Sequence, residues 1–484
     1  MTYADPRDAR IAELEAQLDA REAQVASLTH QLQQALGRIA ELEAKLKQNS
    51  SNSSKPPSSD PPGAVRRGAN PTGRKPGGQP GHKGHKRELL PVEQVDCVVR
   101  LAPDTCGHCR GPVVEKPEAP EPFRHQVTEL PPVKPHVTEY RQCFGYCGDC
   151  DAWTSAPLPA GVSTSAFGPR LTALVALLSG QYHLSKRMVQ DLLSSVLGVK
   201  LSLGSVTKLE ANVSAALEAP VEEARQHVRR AVIAHLDETG WREGRRKAWL
   251  WTAVTSMATV FVIAASRGAA VAKQMLGEDF TGFLVTDRWS AYGWADLHLR
   301  QVCWSHLVRD FQGFVDRGGR GAVLGKQLLE QTRWMFKWWH RVRDGTLSRR
   351  AFERRMRGVE REVGRLLRNA AVCPERKTAG MAKEILKLAP ALWTFVQVEG
   401  LEPTNNTAER AIRPAVLYRK GCFGTHSPGG SRFVERMLTV VATLKQQKRN
   451  VLEFLTTAYE AHLRGLPSPS LLPAAAPAPL AIAA

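Results

Sequence analysis

The chain has 484 residues, 43% of them hydrophobic, a net charge of +19 and a pI of about 9.8. That length exceeds one core, so about two to four domains are expected. The charge favours a polyanionic partner, no apolar run approaches the ~20 residues that cross a bilayer, and MTYADPRDAR opens without a secretory h-region. A cytoplasmic protein is therefore expected, with no membrane partner. Its nine cysteines then point to metal binding before disulfides.

Residues 1–47 carry a heptad. Ile11, Leu18, Val25, Leu32, Ile39 and Leu46 fall at a, and Leu14, Arg21, Leu28, Ala35 and Leu42 at d. A pure a/d stripe predicts a coiled coil and hence a homo-oligomer; β-branched a residues with Leu at d lean towards a parallel dimer. The alternative is one amphipathic helix packed on its own protein. Residues 48–92 change character abruptly. QNSSNSSKPPSSDPPG is polar and proline-rich, and GRKPGGQPGHKGHKR is glycine-rich and basic. A flexible basic linker is expected, either a tether or an arm laying Lys83, Lys86 and Arg87 on phosphates.

Residues 93–160 contain Cys106-Gly-His-Cys109 and Cys147-Gly-Asp-Cys150. Two C-x₂-C knuckles predict a zinc ribbon, with one structural Zn²⁺ on four thiolates. Cys97, Cys143 and His108 are spare candidates. Residues 161–226 read as helices. Two amphipathic runs lie around Gly198 and Gly204, with Ser202 or Ser205 as a cap, and either a helix-turn-helix or an ordinary helical pair fits them.

From 227 the pattern becomes strand-like. AVIAHL runs up to Asp237; KAWLWTAVTS and TVFVIAAS follow, then a helix from about Ala269, then GFLVT up to Asp287 and HLRQVCWSHLVRDF. That order predicts an α/β RNase H-like core spanning 227–430, in which strand ends deliver carboxylates to one sheet edge. A helical insertion is expected over about 320–395, with Trp334, Trp338 and Trp339 on a buried face. Residues 431–484 should hold a last helical segment and a disordered Ala/Pro-rich tail.

Asp237, Asp287 and the distant Glu409 are the candidate catalytic carboxylates. Hard divalent cations prefer oxygen ligands, and a two-metal nucleotidyl-transfer site needs such a set. Each has a plainer reading: a turn or cap for the aspartates, and a capping box for Asn406-x-x-Glu409. Glu402 and Glu435 are the next candidates should Glu409 only cap. Arg410, Arg413, Arg419 and Lys420 follow closely as candidate DNA contacts, and Pro414 should restrict or kink the helix. His306 is a further candidate, with a core or DNA-positioning role preferred over a catalytic one.

Taken in order, NSSNSSKPPSSD, GGQPGHKGHKR, ELPPVKPHVTEYR, the paired cysteines, HLDET, TDRWSAY, CWSHLVRDF and NNTAERAIRP resemble the insertion-sequence transposases of the IS-sixty-six family. Gly421 stands where that family usually has asparagine. The resemblance implies a DDE transposase with its triad on Asp237, Asp287 and Glu409. It implies two Mg²⁺ or Mn²⁺ ions, strand cleavage and strand transfer on double-stranded DNA at transposon ends and target, nucleoid association and possible small accessory proteins. Three rivals remain: a DNA-binding regulator, an RNase H-like nuclease that cuts without joining, and a structural coiled-coil protein, which explains residues 11–46 and little else.

Overall fold

The computed structural model describes residues 6–49, 53–55, 60, 82, 87–114, 116–118 and 121–473. Most of the linker, Lys83 and Lys86 included, and the tail beyond 473 lie outside them.

Helix α1 (Pro6–Leu46) is continuous over 41 residues. Pro6 suits a first helical position, and good helix formers fill the rest. Every a and d residue is exposed, from Ile11 to Leu46. Among the described residues nothing covers the stripe, so the amphipathic-helix alternative finds no support there. Strands β1 (Phe144–Cys147) and β2 (Ala152–Ser155) form an antiparallel hairpin whose Phe144, Tyr146 and Trp153 are also exposed.

Four helices follow: α2 (Pro169–Gly180), α3 (Lys186–Leu197), α4 (Leu203–Ala216) and α5 (Glu218–Arg229). Gly198 ends α3 at φ 65°, a left-handed conformation that glycine adopts without penalty. Ser202 caps α4 by accepting from the Ser205 backbone N–H, as expected from sequence. Val189, Leu193, Val206 and Leu209 close this pair into a small core with Val175 and Leu178.

The central sheet has five strands: β3 (Ile233–Glu243), β4 (Arg246–Val254), β5 (Thr259–Ala264), β6 (Phe283–Thr286) and β7 (Arg300–Val302). Helix α6 (Ala269–Leu276) connects β5 to β6. The order is β5-β4-β3-β6-β7, with β3, β4 and β5 antiparallel and β6 and β7 parallel to β3. The expected three strands, helix and strand are present, and HLRQV resolves to a strand before a helix. One expectation is corrected: β3 does not stop at Asp237. Its hairpin with β4 keeps pairing to Glu243–Arg246, and only the β6 pairing ends at His235–Val285.

Beyond β7 come α7 (Trp304–Asp316), α8 (Gly319–Arg343), α9 (Arg349–Ala370), α10 (Arg376–Lys387) and α11 (Thr394–Gln397). Helices α12 (Asn406–Cys422), α13 (Pro428–Gln446) and α14 (Val451–Leu463) complete the chain. Side chains alternate across the sheet. Ala234, Leu236 and Leu284 join a core shared with α2, α4, α5 and α12–α14. Val285 and Val302 join a second core with α7–α11. At Gly325 an added Cβ would sit 2.8 Å from the Phe311 carbonyl oxygen, so glycine lets α8 approach α7. The tryptophan expectation holds for Trp339, which is buried, and in part for Trp338, which packs half-buried against the second core. Trp334 is exposed and leans on Trp338, 5.7 Å between ring centroids, because α8 turns that face away from the core.

Candidate active site

The register sets the first two carboxylates. His235 lies opposite Val285 on parallel neighbours. Two residues further on, Asp237 points to the face of the α7–α11 core, and Asp287, just past the end of β6, lies close enough for its charge to act on Asp237. Strands so paired run about 4.8 Å apart, a span that suits shared cations. Asp237 is held by the Glu238 backbone N–H at 2.9 Å. Asp287 accepts from the Trp289 N–H at 2.8 Å, and Arg300 donates to its carbonyl at 2.8 Å.

Glu409 arrives from the first turn of α12. The capping-box reading does not survive. Asn405, not Asn406, precedes the helix, and its side chain makes no capping bond. Asn405 reaches β3 instead: Nδ2 donates to the Leu236 carbonyl at 2.6 Å, and Oδ1 lies 3.2 Å from His235 Nδ1. The Glu409 N–H makes an ordinary helical bond to Asn405 O, and its Oε1 is buried with no hydrogen-bond partner. Helix α12 also runs through Pro414 without ending.

Electrostatics tie the three together. Burial, then the charges of Glu238, Asp287 and Glu409, hold the Asp237 carboxyl well above the usual carboxylate range. Glu238 projects to the opposite face, where Arg267 donates to it at 2.8 Å and the Tyr292 hydroxyl donates to its other oxygen. His235 is pushed down to about 4, chiefly by burial, so it stands neutral beside Asn405. Glu435 is spent elsewhere, accepting from the Ile263 N–H at 2.6 Å on β5, and Glu402 precedes α12 in the connecting loop.

Sequence reasoning missed Glu238, His235, Asn405 and Cys303. Two of them flank Asp237 in HLDET, and Asn405 opens NNTAERAIRP, so the signal lay beside the residues chosen. Of the basic candidates, Arg410, Arg413 and Lys420 are exposed. Arg419 is committed to β3, with Nη1 on Thr239 Oγ1 at 3.1 Å and on the Gly240 carbonyl. Arg87 donates to Thr128 Oγ1.

The two cysteine knuckles share one local design. The N–H groups of Cys109 and His108 lower the Cys106 thiol, and those of Cys150 and Asp149 lower the Cys147 thiol. Backbone donors favour the thiolate in both turns. The knuckles stand as two pairs. Among the described residues, the group of metal-ligating side chains lying within 4.8 Å of one another is Cys303, His306 and Glu409.

Residues 164–432, more than half of the chain, match the family described as Transposase IS66 family. The chain belongs to that family. The matched region holds all three carboxylates and leaves out both knuckles. Residues 3–88 match separately a family of unknown function, DUF6444. The uncharacterized protein y4qI of Sinorhizobium fredii (strain NBRC 101917 / NGR234) is 25% identical over 250 residues, which is 46% of this chain and 45% of the relative. The chain thus spans about half the length of that relative. Within the family's region, no described helix is long and apolar enough to cross a membrane, and the same holds for every other described residue.

Proposed function

We propose that this chain is a DDE transposase, acting on double-stranded DNA at the ends of an insertion sequence and at the target. The observation that carries this is that Asp287, just past the end of β6, and Glu409, in the first turn of α12, both lie within electrostatic reach of Asp237. The β5-β4-β3-β6-β7 order, three antiparallel strands followed by two parallel ones, supports an RNase H-like core.

The donor set fits hard divalent cations. Asp237, pressed by neighbouring carboxylates, and the orphaned Oε1 of Glu409 are groups that a cation would relieve. Asp237, Asp287 and Glu409 are the residues that would hold two such ions, Mg²⁺ or Mn²⁺. Such ions supply a water or 3′-hydroxyl of lowered pKa and stabilise the leaving oxygen. The chain's own work is positional. The Arg300 bond fixes the turn after β6, and Asn405 fixes the start of α12. Exposed Arg410, Arg413 and Lys420 are set to hold phosphates beside the carboxylates.

Two further assignments complete the proposal. Cys106, Cys109, Cys147 and Cys150 bind one structural Zn²⁺, for which the matched N–H-to-sulfur turns are the support. The uncovered stripe of α1 pairs with a second copy. Accessory proteins and nucleoid association follow from the family alone.

The deciding assay gives purified protein, Mg²⁺ and labelled DNA carrying the element's ends. Cleavage and joined products are expected, with Asp237→Ala, Asp287→Ala or Glu409→Ala each costing about a thousandfold or more. DNA binding should persist in all three. Cleavage without joining would favour the nuclease reading, and binding without either would favour the regulator.

A further inference from the structure

The side of the site near Glu409 is not made of oxygen donors alone. Cys303 ends the run from β7, and its N–H donates to the Thr286 carbonyl at 2.8 Å. Its sulfur is buried and accepts the Asn405 N–H at 3.1 Å. His306 sits three residues on, in the first turn of α7. Its Nδ1 lies 3.6 Å from Glu409 Oε1, too far for a sound hydrogen bond. Both atoms are buried, and neither has a hydrogen-bond partner. Two orphaned polar atoms facing each other at that distance cost free energy unless something sits between them. Cys303, His306 and Glu409 bring one sulfur, one nitrogen and one oxygen within 4.8 Å of one another.

We propose that Cys303, His306 and Glu409 form a three-ligand site for a borderline transition metal of the Zn²⁺ or Co²⁺ class, with one coordination position left open. Thiolate and imidazole donors favour such ions, whereas Mg²⁺ prefers oxygen ligands and near-octahedral geometry. Three protein ligands with an open fourth position is the arrangement of catalytic rather than structural zinc. The loop is built to hold it. Trp304 N–H donates to the Pro403 carbonyl at 2.9 Å, and Ser305 Oγ to Asn406 Oδ1 at 3.3 Å. These bonds tie the Cys303–His306 turn to the start of α12, two segments about a hundred residues apart in sequence. The inference rests on the proposed function and departs from it at one ligand: the ion on Glu409 Oε1 is of the borderline class, the hard cation is left to Asp237 and Asp287, and binding at Glu409 does not require Asp237.

The experiment uses full-length protein loaded with only one equivalent of Zn²⁺ per chain, which the four knuckle thiolates take ahead of a three-ligand site, followed by titration with Co²⁺ under excess Mg²⁺. One Co²⁺ per chain is expected to bind, with a thiolate-to-cobalt charge-transfer band. Cys303→Ser should remove the band, and His306→Gln should weaken Co²⁺ binding by about tenfold or more. Asp237→Asn should leave the band intact while abolishing cleavage, which separates this inference from the transposase reading. The idea is overturned if the band survives Cys303→Ser, if Mg²⁺ displaces Co²⁺ as readily from wild type as from His306→Gln, or if no band forms. Circular dichroism of each variant shows whether it has folded. Should Cys303→Ser fail to fold, His306→Gln decides the matter alone.

Discussion

The N-terminal third and the region from 164 onward treat apolar residues in opposite ways. Along α1 and through residues 87–155, Leu18, Leu32, Leu101, Phe123, Leu130 and Trp153 are all exposed. From 164 on, three buried clusters absorb most large apolar side chains. Burying one Leu or Phe is worth about 1.5–3 kcal/mol, so leaving a row of them in water is a large forgone gain. The lesson is that the later region carries its own stabilising partners, whereas the earlier one, on the function proposed above, would draw on groups outside a single chain. A second helix would cover α1, and a metal would draw the knuckles together.

Stripping zinc tests this contrast most severely. Structural zinc contributes about 10–16 kcal/mol in isolated fingers. Chelation should therefore open residues 93–160 to protease while 164–473 resists, as mass spectrometry of the fragments would show. Equal resistance before and after chelation, or no zinc in the purified protein, would remove the ribbon. Next in size is the seam of α1. Leu18→Asp with Leu28→Asp removes burial of about 2 kcal/mol per site on each helix. Sedimentation should then find a smaller species, with the melting of the later region unmoved. An unchanged oligomer would show that α1 does not associate.

A smaller effect lies inside the self-sufficient region. Asp237→Asn should raise the melting temperature of the metal-free protein at neutral pH, by about 2 °C for each kcal/mol gained. The sign follows from linkage. Asp237 has a folded pKa above its unfolded one, so the folded state holds the extra proton and stability falls as pH rises through that window. The advantage of Asn should shrink as pH drops below it. A calorimetric series showing no pH dependence would reject the electrostatic account. Smallest is Arg21→Leu, which repairs the one charged d position and should raise the melting temperature of an α1 peptide modestly. A lower value would mean that the heptad is misread.

How far the sequence disclosed this depends on the range of the forces involved. The meander, the Gly198 break and the Ser202 cap are local, so spacing and turn chemistry sufficed. The run of β3 past Asp237 depends on its partner β4, and no pattern within AVIAHLDET reveals that. Trp334 and Trp339 differ only in which side of α8 meets α9, a tertiary matter. At the site, Asp287 and Glu409 were readable as carboxylates at element boundaries, and Asp237 as the residue closing an apolar run, although it lies inside β3. The Asn405 contacts were not, because they join atoms 169 and 170 residues apart.

Those contacts carry a consequence for how such chains can diverge. Asn405 grips β3 directly, so the location of Glu409 is set by a clasp and not by the length of chain that leads to it. Helices α8–α10 can then lengthen, shorten or acquire new surfaces as a graft, with the third carboxylate left in place. Chimeras that exchange α9 while keeping Asn405 should retain the site. Asn405→Ala in the native chain should loosen it, and cobalt affinity would report both.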